Sequence, residues 1–233
     1  MSRATMTAAA QALPRSPIVG IGRLRVDQEY RDFEIGWDEF GRDVDWADAL
    51  LRSAGLGPGD LVLITISQHE GPWTSPVVRA LRRIGAIFMP AEVWSFDARR
   101  TSMFLQRLPV KAIFGLGGET LSALESAEPP IAELLSGVEI VWARPDAVSR
   151  LAGVAPQVLP FVMLGPALAL GVPGRAGVVV NAAEWVVDSA DGELVVSSAR
   201  ERATAFDRVP TGIRGSVGSG GDGATTIELQ TAV

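Results

Sequence analysis

Cysteine is absent from this chain of 233 residues. That excludes disulfides, thiolate metal sites and a cysteine nucleophile. Histidine occurs once, at His69, so no imidazole cluster can hold a metal. A Ser-His-Asp arrangement would have a single candidate base, and no G-x-S-x-G elbow accompanies it. Lysine also occurs once, at Lys111, and the other basic side chains are arginines. No run of about 18 consecutive apolar residues is found, so no membrane span is expected. The opening MSRATMTAAAQALPRSP lacks the apolar core of a signal peptide. With no cysteine to oxidise, a cytoplasmic location is expected. A basic stripe is missing too. The formal net charge is −6, which argues against a nucleic-acid partner.

What is present suits a folded domain. Hydrophobic residues make up 47% and charged residues 21%, enough to bury a sizeable core. From Trp46 onward the pattern alternates. Trp46, Leu50 and Leu51 share a helix face, and Gly55 follows as a stop. Gly57-Pro58-Gly59-Asp60 is a turn, and Leu61 to Ile66 is a strand buried on both faces. His69 to Pro76 reads as a loop with two prolines. Val77 to Ile84 reads as a helix closed by Gly85, and Ala86 to Met89 as the next strand. Arg99 to Leu108 is another helix, Val110 to Phe114 a strand, Glu119 to Glu125 a helix and Val138 to Trp142 a strand. Such alternation predicts the α/β class, with a mostly parallel sheet flanked by helices and right-handed crossovers.

The character changes after Val154. Val178 to Val180, Trp185 to Val187 and Leu194 to Ser197 read as short strands, with Asp191-Gly192 turning between the last two. Gly215 to Gly223 has linker composition, and Thr225 to Thr231 reads as a last strand. The expected organisation is a lead-in over 1–16, an α/β domain over 17–154, a small β-rich subdomain over 155–214, and a linker with a final strand over 215–233.

Several side chains stand out. His69 and Glu70 follow the first strong strand, at the carboxyl edge where open α/β sheets bind ligands. They read as an acid/base pair or as a solvated loop. Trp73, Trp94 and Phe96 follow two successive strands and read as walls of an apolar pocket, as core, or as an oligomer contact. Glu29, Asp32, Glu34, Asp38 and Glu39, interleaved with Tyr30, Phe33 and Trp37, read as a solvated amphipathic segment or a docking surface. Arg82-Arg83 and Arg99-Arg100 read as solvated helix faces or anion sites.

The segment Leu50 to Pro90 resembles the adenylate-forming superfamily of acyl-CoA synthetases and phenylacetate-CoA ligases. The resemblance rests on Gly55, Pro58-Gly59-Asp60, Leu61 to Ile66, Arg83-Ile84-Gly85-Ala86-Ile87 and Pro90. Three later segments are similar to family motifs in the same order. Leu164-Gly165-Pro166-Ala167-Leu168 resembles Y-G-x-T/A-E. Gly192 to Val196 resembles G-E-L-V-V, and Val209 to Ile213 resembles Y-R-T-G-D. The resemblance covers residues 45–213 with an internal deletion. It implies the fold of the N-terminal domain of these enzymes and a candidate pocket built by His69, Trp73, Trp94, Phe96 and Gly165.

The same resemblance shows what is replaced. Carboxylate adenylation needs a phosphate-cradling loop, a cation and Mg²⁺. No segment resembles S-G-T-T-G-x-P-K. Gly115-Leu116-Gly117-Gly118 is the one Gly-rich strand-to-helix turn, and Glu119 follows it. The family's adenine-side aromatic and magnesium-side Glu fall on Leu164 and Leu168, and its ribose-binding Asp falls on Ile213. No counterpart of the family's C-terminal domain precedes Val233, and Lys111 does not match its lysine. No catalytic residue and no metal ligand are assigned. The expectation is a pseudoenzyme-like ligase homologue that binds a carboxylate, an acyl-CoA or a partner protein, such as a second copy or a full-length synthetase. The alternative is an acyl-activating ligase completed by a partner subunit. Only that alternative calls for ATP with magnesium, and CoA, as cofactors.

Overall fold

A computed structural model describes the chain apart from residues 1, 3, 7, 9–13, 15, 27–28, 220–224 and 231–233. Most of the expected lead-in, the centre of the expected linker and Thr231 lie outside the described residues. The chain enters through a hairpin, β1 (Ile18–Val26) paired antiparallel with β2 (Glu29–Gly36). Burial alternates along it. Leu24, Val26, Phe33 and Ile35 face the core, while Arg23 and Asp32 pair across the outer face. The acidic segment is therefore a strand with its charges on the solvent side, followed by the start of a helix. That helix, α1 (Trp37–Ser53), begins well before the expected Trp46. Gly41 weakens the local signal, but buried Glu39 and Val44 hold the first turns in place through tertiary contacts. Asp38 and Glu39 sit in the first turn, where the helix dipole favours acids.

The main sheet has six strands in the order β4-β3-β5-β6-β7-β8. Strands β3 (Leu61–Thr65), β4 (Ile87–Ala91), β5 (Val110–Leu116), β6 (Ile140–Ala143) and β7 (Gln157–Leu164) run parallel, and β8 (Ala167–Leu170) returns antiparallel. The helices between them are α2 (Gly71–Ile84), α3 (Ala98–Arg107), α4 (Gly118–Glu125), α5 (Ile131–Leu134) and α6 (Pro145–Leu151). One face packs on Trp73, Val77, Leu81 and the hairpin, and the other on Leu121, Leu124 and Leu151. The expected parallel α/β sheet is present.

Two differences bear on function. The loop expected over His69 to Pro76 is a 3₁₀ turn followed by helix from Gly71. Pro72 occupies the first turn, where its missing N–H has no partner to lose. Ser67 and Glu70 form a capping box just ahead of it. Strands β7 and β8 lie beyond the compositional change at Val154, yet they extend the main sheet.

A four-stranded antiparallel sheet follows, β9 (Trp185–Ala190), β10 (Glu193–Ser198), β11 (Val209–Ser219) and β12 (Thr225–Leu229), in the order β12-β11-β10-β9. Gly215 to Ser219, expected within a linker, are ladder residues paired with β12. Val178 and Val179 bridge to Ile227 and Leu170, linking this sheet to β8.

Candidate functional site

Open parallel sheets bind ligands beyond their carboxyl edge. Here that edge is filled by an ion pair. Glu70 follows β3 and Arg144 follows β6. The guanidinium donates to both Glu70 oxygens, at 2.7 and 2.8 Å. Arg144 Nε donates to the Gly115 carbonyl at 3.0 Å, and the cation lies 5.0 Å from the centre of the Phe161 ring. The Ser67 N–H donates to Glu70 at 2.9 Å. Burial by itself pushes the Glu70 carboxyl up. Arg144 and the Ser67 amide more than offset it and hold the group below the usual carboxylate range.

Gly115 makes this arrangement possible. Its φ of 91° lies in the left-handed region, at a register shift between Phe114 and Leu116. A Cβ here would stand 2.7 Å from the Thr65 carbonyl oxygen. Gly115→Ala is expected to cost about 2 kcal/mol, from backbone strain and the clash with β3. Urea unfolding with an unchanged m-value is the check, and a cost near zero would contradict it.

The Gly-rich turn is occupied in the same way. A Cβ on Gly117 would meet Arg144 Cδ at 2.9 Å, and one on Gly118 would meet Asp146 Oδ2 at 2.7 Å. Arg150 donates to the Gly118 carbonyl at 3.1 Å. Glu119 accepts from the Ser95 hydroxyl and amide at 2.7 and 2.9 Å, which holds its carboxyl below the ordinary range. The turn is a strand-to-helix connection packed by side chains.

Of the five residues expected to form one pocket, Trp73 and Gly165 are in contact, while His69, Trp94 and Phe96 are exposed. His69 is exposed, with Nδ1 2.9 Å from the Ser67 hydroxyl. Trp73 is buried, and its indole N–H donates to the Gly165 carbonyl at 2.8 Å. Trp94 and Phe96 are 41% and 74% exposed. Trp73 instead lines a cavity of about 30 Å³ with Phe33, Asp43, Asn181, Trp185 and Arg202. That volume suits a water molecule or two. A larger groove of about 620 Å³ lies beside α2, and none of the five residues lines it.

The three later motifs do converge. Gly165 turns between β7 and β8 with a φ of 52°, and a Cβ there would lie 3.6 Å from Thr211 Cγ2. Thr211 Oγ1 donates to the Leu194 carbonyl at 2.8 Å, and the Gly212 amide donates to Glu193 at 2.7 Å. At this junction Leu164 is 0% exposed and Leu168 8%, and Ile213 packs partly buried against the same core.

A second polar cluster escaped sequence reading. Glu184 is fully buried and accepts from Arg42 at 2.5 Å and from Arg202 at 2.6 Å. Arg202 also reaches Asp43 at 3.0 Å and lies 4.2 Å from the centre of the Trp185 ring. Asn181 donates to Asp43 at 3.1 Å, and the Ala203 amide donates to Glu39 at 2.7 Å. Burial pushes the Asp43 carboxyl up despite the opposing pull of Arg202. Apart from Glu184 and Arg202, 18 positions apart, the hydrogen-bonded partners lie 138 to 164 positions apart in the chain, so no local pattern announces them. Among the described residues, no group of three or more His, Asp or Glu could hold a metal ion. No described helix is long and apolar enough to cross a membrane.

Comparisons with known proteins extend this description. No family model matches the chain. Nonribosomal peptide synthetase 9 of Gibberella zeae is 28% identical over 127 residues, 51% of this chain and 15% of that protein. A 2-hydroxyisobutyryl-CoA ligase, in complex with 2-HIB-AMP and CoA, superposes with a TM-score of 0.68 at 15% identity, over 97% of this chain and 60% of the ligase. The N-terminal subdomain of Klebsiella oxytoca NpsA, in complex with 3-hydroxyanthranilyl-AMSN, superposes with a TM-score of 0.60 at 13% identity, over 95% of this chain and 67% of that one. The chain thus spans well under two thirds of the peptide synthetase and of the ligase. It has the fold of the N-terminal domain of adenylate-forming enzymes.

Proposed function

We propose that this chain is a degenerate relative of the AMP-forming acyl- and aryl-CoA ligases, one that binds a carboxylate or acyl thioester without adenylating it. One observation carries the reading. Where three family-like motifs converge, the positions that would face the nucleotide are Leu164 and Leu168, buried in the core, and Ile213, partly buried against it. Leucine and isoleucine side chains offer no oxygen to a hard cation or to ribose hydroxyls. The Gly-rich turn is blocked by Arg144 and Asp146. These residues do not fit magnesium-ATP.

The test is ATP–pyrophosphate exchange with magnesium and a panel of aliphatic and aromatic carboxylates. No exchange above the protein-free rate is expected. Exchange at even a hundredth of a working ligase's rate would overturn the reading, because losing such charge-stabilising groups costs about two to three orders of magnitude each.

A second reading has one observation in its favour. Ile87, Trp94, Phe96, Met103 and Leu108 are all exposed along β4 and α3, an apolar surface that suits a protein partner. A ligase completed by another subunit would then show exchange only after that subunit is added.

A further inference from the structure

We infer that the groove beside α2 is a binding site for a small amphiphile, an apolar chain ending in a carboxylate or phosphate. It rests on the ligand-binding half of the reading above and is independent of the adenylation defect. The groove is lined by residues of α2, β3 and the edge strand β4. Its volume of about 620 Å³ is within the range of small-molecule sites.

Its lining is largely apolar, with Ser67, Gln68, Thr74 and Ser75 adding hydroxyl and amide groups. Ile64 and Ile66 come from β3 and the residue after it, Phe88 and Pro90 from β4, and Val78 from α2. Its rim is cationic. Arg79 and Arg82, one turn apart on α2, both line it. Neither has a carboxylate partner among the described residues, whereas the neighbouring Arg83 pairs with Asp45 and Asp48. Arg82 is held over the Phe88 ring at 5.1 Å, which aims its guanidinium at the groove. Arg100 also lines the groove but is paired with Asp97 at 3.2 Å, and Glu92 is the one acid in the lining. The chain as a whole carries a formal charge of −6, so two unpaired arginines beside an apolar trough mark a local reversal of sign. A guanidinium pair binds anionic oxygens, and the trough takes the chain behind them.

The experiment is isothermal titration calorimetry below micelle-forming concentrations. Decanoate, decyl phosphate and uncharged decanol are compared, with methyl NMR shifts followed at Ile64, Ile66 and Val78. At least one anion should bind and shift those methyls, with decanol about tenfold weaker or more. Arg79→Ala/Arg82→Ala should weaken the anion by about tenfold or more. Arg99→Ala/Arg107→Ala, an equal loss of charge outside the groove, should leave it unchanged. The tighter of the two anions identifies the head group. Equal binding of decanol, shifts elsewhere, an unaffected double variant at 79 and 82, or no binding by either anion would each overturn the site. Pyrophosphate exchange is read separately, so a failed groove and a failed adenylation reading remain distinguishable.

Discussion

Replacing Glu184 with alanine should lower the unfolding free energy by about 3–5 kcal/mol. In a domain of this size that corresponds to a fall in Tm on the order of 10 °C. The side chain is fully buried and accepts from both Arg42 and Arg202. Removing it leaves Arg202, itself 6% exposed, with Asp43, a long contact to Glu39 and the face of the Trp185 ring. A buried cation that loses its main partner keeps its desolvation cost without the compensating attraction. The loss is not local. Arg42 belongs to α1, Glu184 precedes β9 and Arg202 lies in the connection to β11, so the cluster ties the antiparallel sheet to the rest of the molecule. Denaturant unfolding of Glu184→Ala, followed by far-ultraviolet circular dichroism, measures the cost. A change below about 1 kcal/mol, the range of exposed ion pairs, would show that the network adds little.

The second large effect concerns the edge of the parallel sheet. Arg144→Met should destabilise the protein at neutral pH by about 3 kcal/mol or more. It strands the buried Glu70 carboxylate and removes the bond to the Gly115 carbonyl. The pH dependence gives a further check. In the native protein the Glu70 carboxyl is held below its ordinary range. Its contribution is therefore complete above the unfolded-state pKa and is lost as pH falls through the lower folded value. In Arg144→Met burial acts unopposed by the arginine, and the carboxyl takes a proton more readily. The deficit relative to the native protein should then be greatest at neutral pH and shrink on acidification. Glu70→Gln/Arg144→Met should lose less than the sum of the two single variants, because the two residues share one interaction. A deficit that is constant with pH, or strict additivity, would contradict the pairing.

The sheet was legible because its signals are local. Leu61 to Ile66 is apolar and β-branched, Gly85 ends α2 in a left-handed turn with a φ of 86°, and the helices between strands keep one apolar face. These features declare a parallel α/β sheet without knowledge of what any strand touches. The same local logic misled at His69 to Pro76. Two prolines there read as a loop, but Pro72 in the first turn of α2 costs no hydrogen bond. It also missed the β1–β2 hairpin, whose buried side alternates so briefly that the acidic residues dominate the pattern.

The site divides along the same line. By itself the sequence determined which residue types are available: no cysteine, one histidine, and apolar Leu164, Leu168 and Ile213 at the positions proposed above to face a nucleotide. Composition and motif order are properties of the chain and survive any fold. Only the tertiary structure decided how those residues meet. It buried Trp73 and left His69, Trp94 and Phe96 exposed, filled the sheet edge with Glu70 and Arg144, and gathered Arg42, Asp43, Glu184 and Arg202 into one cluster. It also left Arg79 and Arg82, which line the groove beside α2, without a carboxylate partner among the described residues. Charge pairing and burial act over a few ångströms in space, between residues far apart in the chain, and no periodicity or spacing encodes that distance.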